Sequence, residues 1–368
     1  MNYLEKLLQG APVEWKTLGE VAKLQRGRVI SKQYLSENMG DYPVYSSQTA
    51  NNGEIGTIST FDFDQEAITW TTDGANAGTV FHRFGKFSIT NVCGLVNILD
   101  LQQLDYKFLF YWLSVEAKKY VYSGMGNPKL MSNQMEKIKI PIPPLAVQKE
   151  IARILDAFTA ITSELTSELT SELTLRQKQY QHYRDKLLTF GDEVEWKTLG
   201  EVAPPIRGKR VVRAELSENG EYPVYQNSLK PLGFYTSMNC NKYTAFIIAA
   251  GAAGEIGFSD VDFWAADDCY YFECPKDRLD SKFLYYFLLK ENNKLFAQVR
   301  RASIPRLGKI AIENLKIPIP SIEEQKRIVE ILDKFDTLTN SISEGLPKEI
   351  ELRNKQYEYY REMLLGFN

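Results

Sequence analysis

The chain has 368 residues, of which 44% are hydrophobic and 25% charged, with a formal net charge of −3. That length exceeds what one hydrophobic core organises, so two domains are expected, and the composition is that of a folded protein and not a disordered one. No apolar run approaches the roughly eighteen residues of a membrane span, and MNYLEKLLQG lacks the basic start and apolar stretch of a secretory signal. The irregularly spaced Cys93, Cys240, Cys269 and Cys274 exclude a disulfide framework and fit a cytoplasmic location, and the two histidines, His82 and His182, leave no basis for a metal site.

In chain order, YLEKLL (3–8) reads as a short helical end-piece within residues 1–12. Residues 13–143 alternate short apolar runs with Gly, Asn, Asp and Pro, as in EAITWTTDGANAGTVF (66–81), which predicts strands joined by tight turns. YKFLFYWLSVEAKKYV (106–121) predicts one buried helix in that domain. The prolines of IPIPP (140–144) enforce extended chain, after which no Pro or Gly occurs until Gly191.

A long central helix is therefore predicted over 144–190. Ile151, Leu155, Phe158, Ile161, Leu165, Leu169, Leu173, Tyr180, Tyr183 and Leu187 form its apolar stripe. Within it Thr-Ser-Glu-Leu is repeated in succession from Thr162 to Leu173. Each tetrad adds about 6 Å of helix, so the array reads as a spacer.

Residues 191–318 repeat the first domain. VEWKTLGEVA at Val13 recurs unchanged at Val194, and SENMGDYPVY (36–45) returns as SENGEYPVY (217–225). DYKFLFYWL (105–113) returns as DSKFLYYFL (280–288), and IKIPIPPLAVQKEIARILDAF (138–158) as LKIPIPSIEEQKRIVEILDKF (315–335). The stretches near 46–104 and 226–279 have diverged, so one frame carries two different inserts.

A C-terminal helix is predicted over 319–368, opened by a Ser321/Glu324 capping box. Its stripe of Ile328, Leu332, Phe335, Leu338, Ile342, Leu346, Tyr357, Tyr360 and Leu364 should pair with the central helix, and Gly345 and Pro347 should kink or break it. YRDKLL (183–188) and YREMLL (360–365) echo YLEKLL, which predicts a head-to-tail, pseudo-twofold arrangement. The fold class expected is α+β: two similar mixed α/β domains separated by two long antiparallel coiled-coil helices.

Each domain holds equal numbers of basic and acidic side chains, so nucleic-acid binding requires that its cations be gathered. Gln25, Arg26 and Arg28 cluster in QRGR, and Arg207, Lys209, Arg210 and Arg213 in IRGKRVVR. Arg300, Arg301 and Arg306 lie in VRRASIPR, which aligns with YSGMGNPK and its Asn127 and Lys129. Such side chains suit phosphate and base-edge contacts, or simply a solvated surface. Ser47 and Gln48 in SSQTANNG, and Gln226 and Asn227 in QNSLKPLG, occupy matching loops suited to base readout or to turn chemistry.

Trp15 and Trp196 sit in the identical repeated segment and should pack where domain meets helix, and Cys93 and Cys269 should be buried at equivalent strand positions. No phosphate-binding loop, metalloprotease motif or nucleophile elbow is present. Asp62, Asp64 and Glu66 cluster without an evident basic partner and read as surface turns, so neither catalysis nor a cofactor is expected.

The duplicated WKTLGEV, the KIPIPP/S-x-x-x-QK junctions and the central tetrad array together resemble the specificity subunit of type I restriction–modification systems, over essentially the whole chain. The resemblance implies two target recognition domains, each reading one half of a bipartite site in double-stranded DNA. It also implies helices that set the gap and dock two methyltransferase subunits, to which restriction subunits can be added. Those partners would supply S-adenosylmethionine chemistry and cleavage, leaving this chain non-catalytic. The alternative is a non-catalytic coiled-coil scaffold or adaptor whose globular ends bind proteins.

Overall fold

A computed structural model describes residues 3–124, 126–217, 220–340 and 344–367. The chain forms two compact units, one from residues 1–166 and 352–368 and the other from residues 167–351.

In the first unit, Glu14–Thr17 pairs antiparallel with Lys139–Ile142, setting Trp15 opposite Pro141. The identical WKTLGEV segment then turns at once into the helix Leu18–Val21, because the Glu20 carboxylate accepts from the Thr17 N–H (2.6 Å) and hydroxyl (2.7 Å). A four-stranded antiparallel sheet follows, in the order Ala22–Arg26, Cys93–Ile98, Ala67–Thr71, Val80–Arg83. A smaller sheet has the order Glu54–Ile58, Tyr42–Tyr45, Lys86–Ile89, Phe63–Asp64, with Tyr42–Tyr45 and Lys86–Ile89 parallel.

The helix Tyr106–Glu116 covers the larger sheet. Its Phe108, Leu109 and Trp112 join Leu18, Ile68, Trp70 and Val96 in one core. Trp70 fits because Gly94 stands opposite it: a Cβ there would lie 2.2 Å from the indole ring. Leu4, Ile151, Leu155, Leu364 and Leu365 enter the same core from the terminal and central helices.

The second unit repeats the plan. Glu195–Thr198 pairs with Lys316–Ile319, and the sheet order is Ile206–Arg207, Cys269–Tyr271, Thr244–Ile248, Ile256–Ser259. The helix Ser281–Lys290 packs on it, with Ile328 and Leu332 in the shared core. Ile151, Leu155, Ile328 and Leu332, expected at a helix–helix seam, thus seat their helices on the domain cores, each burial stabilising by about 2–3 kcal/mol.

The central helix runs unbroken from Leu145 to Leu187 and contains the whole tetrad array. In the first unit Phe158 stacks on Tyr360 (centroids 5.1 Å apart), and in the second the equivalent Phe335 stacks on Tyr183 (5.5 Å). Leu165, Leu169 and Leu173 are half-buried. The C-terminal stretch comprises the helices Ile322–Asn340 and Gly345–Leu364, with Gly345 and Pro347 at the start of the second. Gly345 has φ +76°, and a Cβ there would lie 2.6 Å from the Thr337 carbonyl and 2.7 Å from that of Leu338. Leu338, expected in the stripe, is 36% exposed at this helix end, and Ile342 lies outside the described residues.

The glutamine of each junction motif has a specific structural task. Gln148 is fully buried; its amide donates to the Gln103 and Pro143 carbonyls (2.8 Å each) and accepts from the Asp105 N–H at 2.9 Å. Gln325 does the same with Arg278, Pro320 (2.9 Å each) and Asp280 (2.8 Å). Gln148→Leu, which keeps the volume but strands three backbone groups, should lower the stability of its unit by about 2–4 kcal/mol in urea unfolding. Gln325→Leu should do the same in the other unit.

Candidate nucleic-acid interface

Both units bring two sequence-distant basic segments to one end of the larger sheet. In the first, Arg26 closes its strand and donates from Nε to the Asn91 carbonyl (3.0 Å) and from Nη2 to Thr72 Oγ1 (2.9 Å). In the second, Arg207 donates from Nε to the Asp267 carbonyl at 2.7 Å. Asn91 and Asp267 each lie two residues before a buried cysteine, Cys93 or Cys269, so the two arginines are equivalent clamps.

The glycine after each arginine lets the turn close. A Cβ on Gly27 would lie 2.0 Å from the Ile89 carbonyl oxygen, and one on Gly208 would lie 2.1 Å from that of Ala266.

The second segment arrives by a matching clasp. The Gly74 N–H donates to the Pro128 carbonyl (2.9 Å) as Gly251 does to Pro305 (3.2 Å). Tyr122 and Lys129 exchange backbone bonds (2.8 and 3.0 Å) as Arg300 and Arg306 do (2.9 and 3.1 Å). The Pro128/Lys129 and Pro305/Arg306 equivalence therefore holds in backbone detail.

The charge between these elements differs. In the first unit Asp73 lies 3.7 Å from Arg26 and 3.8 Å from Lys129. At the corresponding clasp position the second unit has Ala250, bridged to Arg306. There Arg207, Arg300 and Arg306 line a cleft of about 380 Å³ with Asp268 and Tyr270, and among the described residues none of the three arginines makes an ion pair.

The remaining candidates divide. Gln25 is half-buried in the sheet, and Arg28 is held by Asp62 (3.0 Å) over the Tyr34 ring. Ser47 is half-buried, Asn127 is exposed, and the Gln48 amide donates to the Glu54 carbonyl, so it is turned inward. Gln226 is half-buried, and the Asn227 carbonyl accepts from Ala252 N at 2.9 Å, which places that loop beside Gly251 and the cleft. Lys209, Arg210, Arg213 and Arg301 are exposed and do not line the cleft.

Two of the three residues in the acidic cluster, Asp62 and Glu66, have basic partners after all. Asp62 pairs with Arg28, and Glu66 with His82 Nε2 at 2.8 Å, contacts between segments too far apart in sequence to be read as pairs. Asp73, Thr72, Asp268 and Arg83 were not singled out by sequence, where no local signal marks them. Trp15 meets Trp112 edge-on at 5.7 Å and Trp196 meets Phe287 at 6.4 Å, each tryptophan about two-fifths exposed.

Burial pushes the Cys93 thiol up to about 12 and the Cys269 thiol well above its ordinary value, so both favour the protonated form. Among the described residues no group of three His, Cys, Asp or Glu could hold a metal ion, and no helix is long and apolar enough to cross a membrane.

Gly208→Ala should force the Arg207 turn off the Ala266 carbonyl and lower the melting temperature by several degrees, whereas Gly308→Ala, with open space around it, should change it little. Calorimetry of the two variants checks this.

Comparison with known proteins places these features in a family. The model for the type I restriction modification DNA specificity domain matches twice, over residues 12–175 and 191–352. The Escherichia coli EcoR124I/EcoR124II specificity subunit is 34% identical over 403 aligned positions, covering 100% of this chain and 97% of that one. A Haemophilus influenzae protein named as a type I restriction enzyme specificity subunit is 36% identical, covering 100% and 99%. The crystal structure of a type I S subunit from M. genitalium shares the fold with a TM-score of 0.57 at 21% identity, covering 99% of each chain. With two matched domains and full-length relatives above 30% identity, the chain belongs to the type I restriction–modification specificity-subunit family.

Proposed function

We propose that this chain is the non-catalytic addressing subunit of a cytoplasmic type I restriction–modification complex. Residues 13–143 and 191–318 each read one half of a bipartite site in double-stranded DNA. The helical segments set the gap between half-sequences and dock two methyltransferase subunits, to which restriction subunits can be added. Adenine methylation and S-adenosylmethionine binding belong to the methyltransferase partners; this chain's residues bind and orient DNA.

The observation that carries the reading is the repeated clasp. One backbone arrangement brings an Arg–Gly turn and a Pro–Lys/Arg hairpin together in both units, while the neighbouring loops differ in sequence and conformation. A conserved frame with different inserts suits two readers of different sequences. The cations serve phosphate contact, which positions the protein, and the loops Ser46–Gly53 and Gln226–Gly233 serve base edges, which specify. The tetrad array lies within unbroken helix, so its length translates directly into distance along that helix.

Expression with the methyltransferase partners followed by methylome mapping should give a split recognition sequence; a contiguous one would refute the two-reader assignment. Deleting Thr166–Leu169 should preserve both half-sequences and shorten the gap by about one or two base pairs, since a tetrad is about 6 Å and a base pair about 3.4 Å. The joint replacement of Arg207, Arg210, Arg300 and Arg306 by alanine should weaken DNA binding. It should also flatten the dependence of log K on log salt by roughly two to four units. Unchanged affinity and slope would return the cleft to ordinary surface.

A further inference from the structure

Arg83 is the most unusual charge in the first unit. It closes the strand Val80–Arg83, is only 3% exposed, and makes no ion pair among the described residues. Its Nε donates to Thr69 Oγ1 at 3.1 Å and its Nη2 to the Asn52 carbonyl at 2.7 Å. The guanidinium carbon sits 3.5 Å from the centroid of the Tyr45 ring and 4.5 Å from that of Phe81. Burial draws its pKa down from the ordinary arginine value. A buried cation whose carboxylate neighbour, Glu54, acts on it only from beyond ion-pair distance costs stability, so the sheet alone gives no reason for it.

The second unit shows that the sheet does not require it. By strand register Ala67 faces Arg83 and Thr244 faces Ser259, so Ser259 is the equivalent residue. It is equally buried, and its hydroxyl donates locally to the Val261 carbonyl at 2.7 Å. What the first unit has in addition is a strained loop. Asn51, Asn52 and Gly53 are consecutive left-handed residues, with φ of 47°, 53° and 81°. The loop Gln226–Gly233 has no residue of positive φ.

Two non-glycine left-handed residues in succession persist only where their surroundings dictate them. The guanidinium provides that constraint: it holds the Asn52 carbonyl and packs beneath Gly53, where a Cβ would lie 3.1 Å from Nη2. The Ser46–Gly53 backbone bond (2.9 Å) closes the loop, and Asn51 and Asn52 are left exposed on its outside.

We infer that Arg83 is a positioning residue for sequence readout. It sets the left-handed turn that presents Asn51 and Asn52 to base edges, with the adenine edge the natural partner of an asparagine amide. The inference rests on the reading of residues 13–143 as a DNA reader. It adds Asn51 and Asn52 to the specificity-determining set and assigns Arg83 a role made through them, without contact to DNA.

The test uses the full chain assembled with its methyltransferase subunits. Arg83→Met should relax discrimination at one or two positions of one half-sequence by roughly tenfold in the methylome. The other half-sequence should keep its preference. Arg83→Lys, which retains the charge but cannot reach both acceptors, should fall between. Should Arg83→Met fail to fold, Thr69→Val removes the Nε acceptor, along with the hydroxyl's contact to the Cys93 thiol, and should give the same one-sided relaxation. A folded variant with lower melting temperature and both half-sequences unchanged would overturn the inference, as would equal relaxation of both. Failure of the underlying reading is distinguishable, because the unsubstituted chain would then yield no split site.

Discussion

The buried amides of Gln148 and Gln325 are the contacts on which each unit depends. Each side chain joins three backbone groups: the N-cap of the domain's buried helix, the loop that precedes it, and the last turn of extended chain before a long helix. A long helix would otherwise be tied to its domain mainly by side-chain packing, which tolerates sliding. A buried amide with fixed donors and acceptors does not. Around it the same Lys–Tyr–Asp contact recurs: Asp156 takes Tyr111 and Lys107, as Asp333 takes Tyr286 and Lys282. The direction in which each helix leaves its domain is set by directional bonds in addition to packing.

Much of this frame was legible in the sequence. Near-identical segments at Val13 and Val194, and at Ile138 and Leu315, announce two copies of one domain, and the freedom from Pro and Gly after Pro144 announces the central helix. The Gly345/Pro347 interruption was legible as well; what the sequence did not show is that Gly345 takes a left-handed conformation against the Thr337 and Leu338 carbonyls. The importance of Gln148 was visible only as part of a motif; nothing in its local sequence says that it is fully buried.

The candidate interface was legible where it repeats and opaque where it does not. Arg26 and Arg207, or Lys129 and Arg306, stand out because each has a counterpart. Asp73 and Arg83 have none, Ala250 and Ser259 occupying the corresponding places. Pairings such as Arg28 with Asp62, or Glu66 with His82, join strands through a register that composition and local periodicity do not encode. Arg83 is also hidden by context, since a single cation at a strand end reads as an ordinary solvent-facing residue until its burial is known.

The contrast between Asp73 and Ala250 bears on how the protein finds its site. One carboxylate lies between Arg26 and Lys129, whereas at the other clasp Ala250 takes its place and the cleft's own carboxylate, Asp268, is outside ion-pair distance of the three arginines among the described residues. Under the proposed reading the two domains would therefore differ in how steeply salt weakens their hold on DNA. One residue at the clasp, acidic in one domain and apolar in the other, is enough to make two copies of one plan respond differently to the same counterions.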